Sequence, residues 1–174
     1  RYGTLRETSK VFLTMRVELK NIQKHFGAVH ANNDITITVE GGSIHGLLGE
    51  NGAGKSTLMK VLSGYIHSDS GSILLDGGAV NRFHSPSDAL SKGVGMLHQD
   101  PLDFPPFVLL DNFILGCDSK LLQPRARAQK DFFDLCKQFD FDLDPNASVS
   151  DLTVGERQQL EIIRLLWLGA RTLI

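Results

Sequence analysis

The stretch Gly49-Glu50-Asn51-Gly52-Ala53-Gly54-Lys55-Ser56-Thr57 decides how this chain folds. It fits the pattern Gly-x4-Gly-Lys-Ser/Thr, whose glycines let successive backbone N–H groups turn inward around phosphate. The lysine of such a loop reaches the β- and γ-phosphates, and the hydroxyl that follows it binds Mg²⁺. The stretch therefore predicts a site for ATP or GTP with Mg²⁺, in which Lys55 is catalytic and Ser56 is a metal ligand. A glycine-rich turn in front of an ordinary helix is the alternative.

The residues on either side of this loop favour the nucleotide site. Residues 43–48 predict a short buried strand that leads into the loop. From Ser56 to Ser63, apolar residues recur at a spacing that suits a helix packed by one face. Such a helix points the positive end of its dipole at a phosphate held in the loop. The strand, loop and helix thus stand in the order that phosphate binding requires.

The rest of the chain predicts a mixed α/β protein. Apolar residues that alternate with polar ones indicate strands, and a period near four residues indicates helices. Residues 101–106 are rich in proline and predict a loop. The predicted strands cover residues 17–22, 35–39, 71–80 (a pair with its turn at Asp76-Gly77-Gly78), 93–98 and the segment from Thr172, and the predicted helices cover residues 86–92, 124–140 and 153–170.

Size, charge and hydropathy narrow the class of protein. The chain has 174 residues and a net charge of −2, with Lys and Arg scattered along it, which argues against a nucleic-acid partner. No apolar run approaches the roughly 20 residues that span a bilayer. Cys117 and Cys136 lack a metal-ligand spacing, which favours a reduced, intracellular protein. Residues 1–14 lack the apolar segment of a signal peptide, and since Met15 begins a new pattern we interpret them as a leader or a non-native extension.

Three further segments stand in the order and spacing found in the ATP-binding cassette (ABC) transporter ATPases. They are residues 26–27, 97–100 and 152–159, and with the phosphate loop they make residues 15–174 resemble that family. The resemblance implies a P-loop NTPase fold, with a RecA-like α/β core, an antiparallel β subdomain and a helical insert. It divides the chain into a β-rich core with the phosphate loop at 15–100, a helical subdomain at about 101–152, and a signature helix with the start of the Walker B strand at 153–174.

Phe26 and Gln99 match family positions that touch ATP or its metal ion. In the family an aromatic residue, usually Tyr, stacks on adenine at the position of Phe26, and Phe keeps the stacking face without the hydroxyl. On its own, an aromatic residue before a glycine is more often a core residue at a turn. Gln99 matches the glutamine loop, which coordinates Mg²⁺, senses the γ-phosphate and touches the transmembrane partner. The resemblance therefore makes Phe26 an ATP-binding residue, and Gln99 a catalytic residue and metal ligand.

The segment Leu152-Thr153-Val154-Gly155-Glu156-Arg157-Gln158-Gln159 resembles the family signature, commonly Leu-Ser-Gly-Gly-Gln. In the family this segment begins a helix whose N-terminus faces the γ-phosphate held by the other subunit. Residues Thr153, Val154, Gly155 and Glu156 are therefore the expected contacts to the ATP of a partner subunit. Glu156 departs from the common glutamine, although Val-Gly-Glu versions are familiar among importers of sugars and nucleosides. Thr153 and Glu156 also fit a helix capping box, and both interpretations can hold.

Hydrolysis requires residues that the family places after the signature helix. Family members carry an apolar strand ending in Asp-Glu, and a histidine one strand later. The chain stops at Ile174, where that strand would begin. We therefore interpret it as a fragment without the catalytic Glu and His, and expect weak or no turnover from it alone. Because the absent strands flank the phosphate-loop strand in the family, we also expect exposed sheet edges and exposed apolar surface.

The resemblance implies the ATP-binding subunit of an ABC transporter, which binds MgATP and hydrolyses it as a dimer. The motifs look like those of bacterial importers for simple sugars or nucleosides. The implied partners are a second ATP-binding domain in a homo- or tandem dimer, transmembrane permease subunits and, indirectly, an extracytoplasmic solute-binding protein. The implied location is peripheral, on the cytoplasmic face of the plasma membrane. Two alternatives stay open: a soluble ABC ATPase that acts on ribosomes or DNA, and a truncated module that only binds ATP.

Overall fold

The computed structural model describes residues 14–80, 82–98, 100–116 and 124–174. These residues form two compact units. The β-rich unit comprises the described residues of 14–96 together with Gly169–Ile174, and the helical unit comprises the described residues of Leu97–Leu168.

An antiparallel sheet of four strands forms much of the β-rich unit. The strands are β1 (Val17–Phe26), β2 (Val29–Val39), β3 (Ser70–Leu75) and β4 (Gly78–Val80), and they lie in the order β2-β1-β3-β4. Phe26 pairs with Val29 across a tight turn, and Val17 pairs with both Val39 and Leu75, so β1 lies between β2 and β3. Side chains of β1 at Val17, Leu19 and Ile22 are buried, because one face of the sheet packs on the core.

Two helices and a short parallel pair of strands complete the β-rich unit. Helix α1 (Lys55–Leu62) buries Leu58, Val61 and Leu62, the one-sided spacing that the sequence predicted. Helix α2 (Pro86–Ser91) begins at Ser85, whose side chain accepts a hydrogen bond from the Asp88 N–H, and it buries Ala89. Strands β5 (Val94–Gly95) and β6 (Thr172–Leu173) pair in parallel. The core of this unit consists of Met15, Val17, Leu19, Ile22, Leu58, Val61, Leu62, Ile73, Phe83, Ala89 and Val94.

The helical unit packs three helices around aromatic side chains. The ring of Phe113 meets that of Phe132 edge-on at 5.3 Å between centroids and that of Trp167 at 4.6 Å, within the range of favourable aromatic pairs. The Trp167 indole N–H, which needs a partner when it is half-buried, donates to Asp131 at 3.1 Å. The helices are α3 (Leu109–Ile114), α4 (Arg125–Phe139) and α5 (Val154–Trp167), and the turn Val149–Asp151 precedes α5.

Most of the predicted elements are confirmed, and one prediction is wrong. Residues 43–48 were expected to form a buried strand, but they form no strand, and Ile44 and Leu48 are 103% and 93% exposed. The physical reason is the lack of a partner, because no described strand pairs with these residues and a lone strand leaves its backbone groups without hydrogen bonds. Leu47 is half-buried and helps to line a groove of about 380 Å³ beside Leu19 and Ile37. The expectation of exposed apolar surface is confirmed here.

The predicted strand over residues 93–98 is shorter than expected, since only Val94–Gly95 pairs with another strand. Among the part of the chain that the structure describes, no helix has the length and hydropathy of a membrane span.

Candidate nucleotide-binding site

The phosphate loop has the backbone that the glycine pattern predicts. Gly52 and Gly54 adopt left-handed conformations, with φ of +84° and +82°, which residues with a side chain rarely adopt. Gly54 is the residue before α1, which therefore begins at Lys55. A Cβ atom at Gly54 would lie 2.0 Å from the backbone oxygen of Ala31, whereas one at Gly52 would meet nothing within 4 Å. The loop thus requires glycine at position 54 for two separate reasons.

The N-terminus of α1 offers backbone donors for an anion. The first hydrogen bond of the helix runs from the Leu58 N–H to the Gly54 carbonyl at 2.9 Å. The N–H groups of Lys55, Ser56 and Thr57 precede that bond, and such groups have no partner within a helix. The helix dipole adds positive potential at the same end. This arrangement suits a phosphate group.

The Lys55 side chain lies along its own loop. Its Nζ donates to the carbonyls of Gly49 and Glu50, both at 2.7 Å. These bonds hold the ammonium group beside the loop, where a phosphate would sit. Because a carbonyl is a weaker partner than a phosphate for a charged donor, Lys55 can exchange the carbonyls for a bound phosphate.

The residues of the loop fit a magnesium–nucleotide ligand. Ser56 is exposed at the first turn of α1, and its hydroxyl makes no hydrogen bond to another described residue. A hydroxyl oxygen next to bound phosphate is a ligand type that Mg²⁺ accepts. The second expected metal ligand, Gln99, lies outside the described residues.

Phe26 ends strand β1 and is 51% exposed, so it is not a core residue at a turn. Its ring has a cation near one face, since the Lys24 Nζ lies 5.4 Å from the ring centroid. Asp69 holds Lys24 in place by an ion pair at 2.8 Å. The Lys24 ammonium and the N–H groups of His25 keep the pKa of the Asp69 carboxyl at about 2, well below its usual value. Phe26 thus presents an accessible aromatic ring, as a stacking residue requires.

The signature segment begins helix α5 as a complete capping box. The Thr153 side chain accepts a hydrogen bond from the Glu156 N–H at 3.3 Å, and the Thr153 N–H donates to Glu156 Oε2 at 2.8 Å. Val154 is 60% exposed and Gly155 is exposed as well. The first turn of α5 therefore has its side chains ordered while its outer surface stays accessible. These residues belong to the helical unit, and the phosphate loop and Phe26 belong to the β-rich unit.

The capping box makes the stability of the helical unit depend on pH. The hydroxyl and N–H of Thr153 lower the pKa of Glu156 below its ordinary value of 4.5. The contribution of the carboxylate is therefore fully present above pH 4.5 and is lost as the pH falls through the lowered pKa. We expect Glu156→Gln, which keeps the acceptor oxygen but not the charge, to lose less stability than the wild type between about pH 6 and about pH 3. Thermal unfolding at both pH values measures this, and equal losses would contradict the capping role.

Sequence reasoning missed an ion pair and a buried carboxyl group at the signature helix. Arg157 donates to both carboxylate oxygens of Asp103, at 2.5 and 2.7 Å. This ion pair connects the first turns of α5 to the segment that precedes α3. Glu161 is buried, and burial raises its pKa against the opposing effects of the His98 N–H and Arg164. The helical spacing predicted only that position 161 lies in a helix, and His98 and Asp103 are far from that helix in sequence. No pattern in the sequence joins them.

The family model described as "ABC transporter" matches residues 32–174. The chain is 38% identical over 162 residues to a ribose import ATP-binding protein, RbsA, from Chelativorans sp. (strain BNC1), covering 93% of this chain and 32% of that protein. It is 39% identical over 160 residues to a guanosine import ATP-binding protein, NupO, from Bacillus subtilis (strain 168), covering 91% and 31%. The chain therefore spans about a third of the length of the curated relatives it matches.

Solved structures share the fold. A nucleotide-free ATP-binding cassette from an ABC transporter superposes with a TM-score of 0.76 at 21% identity, covering 91% of this chain and 67% of that one. The cbiO1 protein of Clostridium perfringens, part of the transporter complex cbiONQ, gives a TM-score of 0.76 at 21% identity, covering 90% and 63%. At this level of identity the likeness establishes the architecture alone.

Proposed function

This chain belongs to the ABC transporter family, and we propose that it is the ATP-binding part of an importer for simple sugars or nucleosides. The observation that carries the proposal is the phosphate loop, in which two left-handed glycines lead directly into α1 with Lys55 at its first position. Two relatives are named as import proteins for ribose and guanosine, which supports a simple sugar or a nucleoside as the solute.

In this proposal, residues 49–57 bind the triphosphate of ATP. The N–H groups at the start of α1 bind phosphate oxygens, and Lys55 leaves the carbonyls of Gly49 and Glu50 to bind the β- and γ-phosphates. Ser56 and Gln99 hold Mg²⁺, which neutralises charge on the phosphates when it is bound. Phe26 stacks on the adenine ring.

The signature residues Thr153, Val154, Gly155 and Glu156 would contact the ATP of a second ATP-binding domain. The exposed first turn of α5 supports this role, because a helix N-terminus with accessible backbone donors can meet a phosphate from outside. Two such domains would close on ATP and hydrolyse it. Permease subunits would change conformation in response, and a solute-binding protein would deliver the solute to them. The chain would lie on the cytoplasmic face of the plasma membrane.

Transport in a defined system tests this function. We expect the complete polypeptide, reconstituted with its permease in lipid vesicles, to release phosphate from ATP faster when a solute-loaded binding protein is present. Ribose and guanosine, tested separately, would distinguish sugar from nucleoside import. Stimulation of phosphate release by ribosomes or DNA, with no response to the permease, would overturn the transport role.

Phe26 allows a separate test of the adenine contact. We expect Phe26→Ala to weaken ATP affinity by about 1–2 kcal/mol, within the range measured for a base stacked on an aromatic side chain. Phe26→Tyr should bind as well as the wild type, because the stacking face is kept. Phe133, an exposed phenylalanine on α4, provides the matched control, since Phe133→Ala removes a similar surface ring. Calorimetric titration with MgATP measures all four proteins, and an unchanged affinity of Phe26→Ala would refute the contact.

A further inference from the structure

The side chain of Asn32 contacts the phosphate loop from strand β2. It is 4% exposed, and its Nδ2 donates to the carbonyl of Gly54 at 3.1 Å. The orientation of the amide follows from chemistry, because a carbonyl oxygen only accepts hydrogen bonds and the group that faces it must be the nitrogen. Asn32 was not among the site residues that the sequence indicated.

The other end of this amide has no partner. Asn32 Oδ1 is buried and accepts no hydrogen bond from the described residues. A buried acceptor without a partner costs free energy, and such a cost in a native structure calls for an explanation. The Gly54 carbonyl does not need Asn32 for its own satisfaction, since it already accepts the Leu58 N–H at 2.9 Å. Stability alone therefore does not account for an asparagine at this position.

The geometry of the peptide bond supplies an explanation. The carbonyl of Gly54 and the N–H of Lys55 belong to one planar peptide unit and point in opposite directions. A side chain that holds this carbonyl also fixes the direction of the Lys55 N–H. It further polarises the peptide unit, which strengthens the N–H as a donor. We infer that Asn32 is a positioning residue, which aims the Lys55 N–H at bound phosphate; this inference rests on the proposed binding of ATP at the loop.

The surroundings of Asn32 support the same role. The backbone of β2 lies directly against the loop, as the 2.0 Å approach of the Ala31 oxygen to the Cβ position of Gly54 indicates. Asn32 pairs across the hairpin with Lys24, the residue whose ammonium lies near the Phe26 ring. One end of the β1–β2 hairpin therefore carries both the residue that orients the loop and the proposed adenine contact.

Two substitutions in the complete polypeptide test the inference. Asn32→Leu has nearly the same size, removes the donor and also removes the unpaired oxygen. We expect its affinity for MgATP, measured by calorimetry, to be about three- to tenfold weaker, the value of one hydrogen bond. Its melting temperature should equal or exceed that of the wild type, because a buried unsatisfied acceptor is gone. Asn32→Ala, which cannot clash with its neighbours, should show the same loss of affinity.

The outcomes separate this inference from the proposed function. Asn33→Leu, an exposed neighbour on β2, is the control and should bind MgATP like the wild type. A wild type that binds MgATP beside two Asn32 variants with affinities within twofold of it would overturn the inference and leave the function standing. A wild type that binds no MgATP would overturn the proposed function itself.

Discussion

Gly54→Ala is expected to destabilise the β-rich unit by about 3 kcal/mol or more, and to abolish ATP binding. The left-handed backbone at φ +82° costs a residue with a Cβ about 1–2 kcal/mol. The remainder comes from overlap, because the new methyl group would lie 2.0 Å from the Ala31 backbone oxygen. Since both atoms are fixed to backbone, either β2 or the phosphate loop must move. Thermal unfolding and calorimetry with MgATP measure the two effects.

Gly52→Ala is the matched control for this substitution. Gly52 has almost the same backbone angle, φ +84°, but a Cβ there meets nothing within 4 Å. We expect Gly52→Ala to lower the free energy of unfolding only by the conformational penalty of about 1–2 kcal/mol. Equal losses of stability in Gly54→Ala and Gly52→Ala would show that the contact between β2 and the loop does not constrain position 54.

Lys55→Ala is expected to weaken the binding of MgATP by at least about a hundredfold, and to stop hydrolysis by the complete polypeptide. The ammonium group can donate to two phosphate groups, and each charge-assisted hydrogen bond contributes about 1.5 kcal/mol or more. Calorimetric titration and phosphate release provide the measurements. The carbonyls of Gly49 and Glu50 lose their present donor but are exposed to water, so we expect the variant to fold.

Lys60→Ala controls for the loss of a positive charge on the same helix. Lys60 is exposed in the last turn of α1, at the end away from the phosphate loop. Its removal should leave the affinity for MgATP within twofold of the wild type. A similar loss from both lysine variants would mean that net charge, and not the placement of Lys55, governs binding.

Local patterns in the sequence were sufficient to predict most of the fold. The glycine spacing predicted the phosphate loop, the apolar spacing at Leu58, Val61 and Leu62 predicted α1, and the Thr153–Glu156 pair predicted the start of α5. The fold class and the family resemblance, which depended on the order of several motifs, are confirmed. Each motif by itself consists of residues that are close together in the chain, and the family resemblance adds only the order of these motifs.

Contacts between distant segments could not be predicted in the same way. The apolar residues of 43–48 suggested a buried strand, yet a strand depends on a partner that those residues do not specify. The bond from Asn32 to Gly54 spans 22 residues, and the Asp103–Arg157 pair spans 54. Their residue types are common in loops and helices, so no pattern in the sequence indicated that these residues are in contact. Gln99 stays a prediction, because it lies outside the described residues.

A crystal structure of the complete polypeptide with Mg²⁺ and a non-hydrolysable ATP analogue would test whether residues 49–57 bind a triphosphate. We expect the phosphates of the analogue at the N-terminus of α1, with the Lys55 Nζ on phosphate oxygens and no longer on the carbonyls of Gly49 and Glu50. An analogue bound elsewhere, with Lys55 still on those carbonyls, would refute triphosphate binding at this loop.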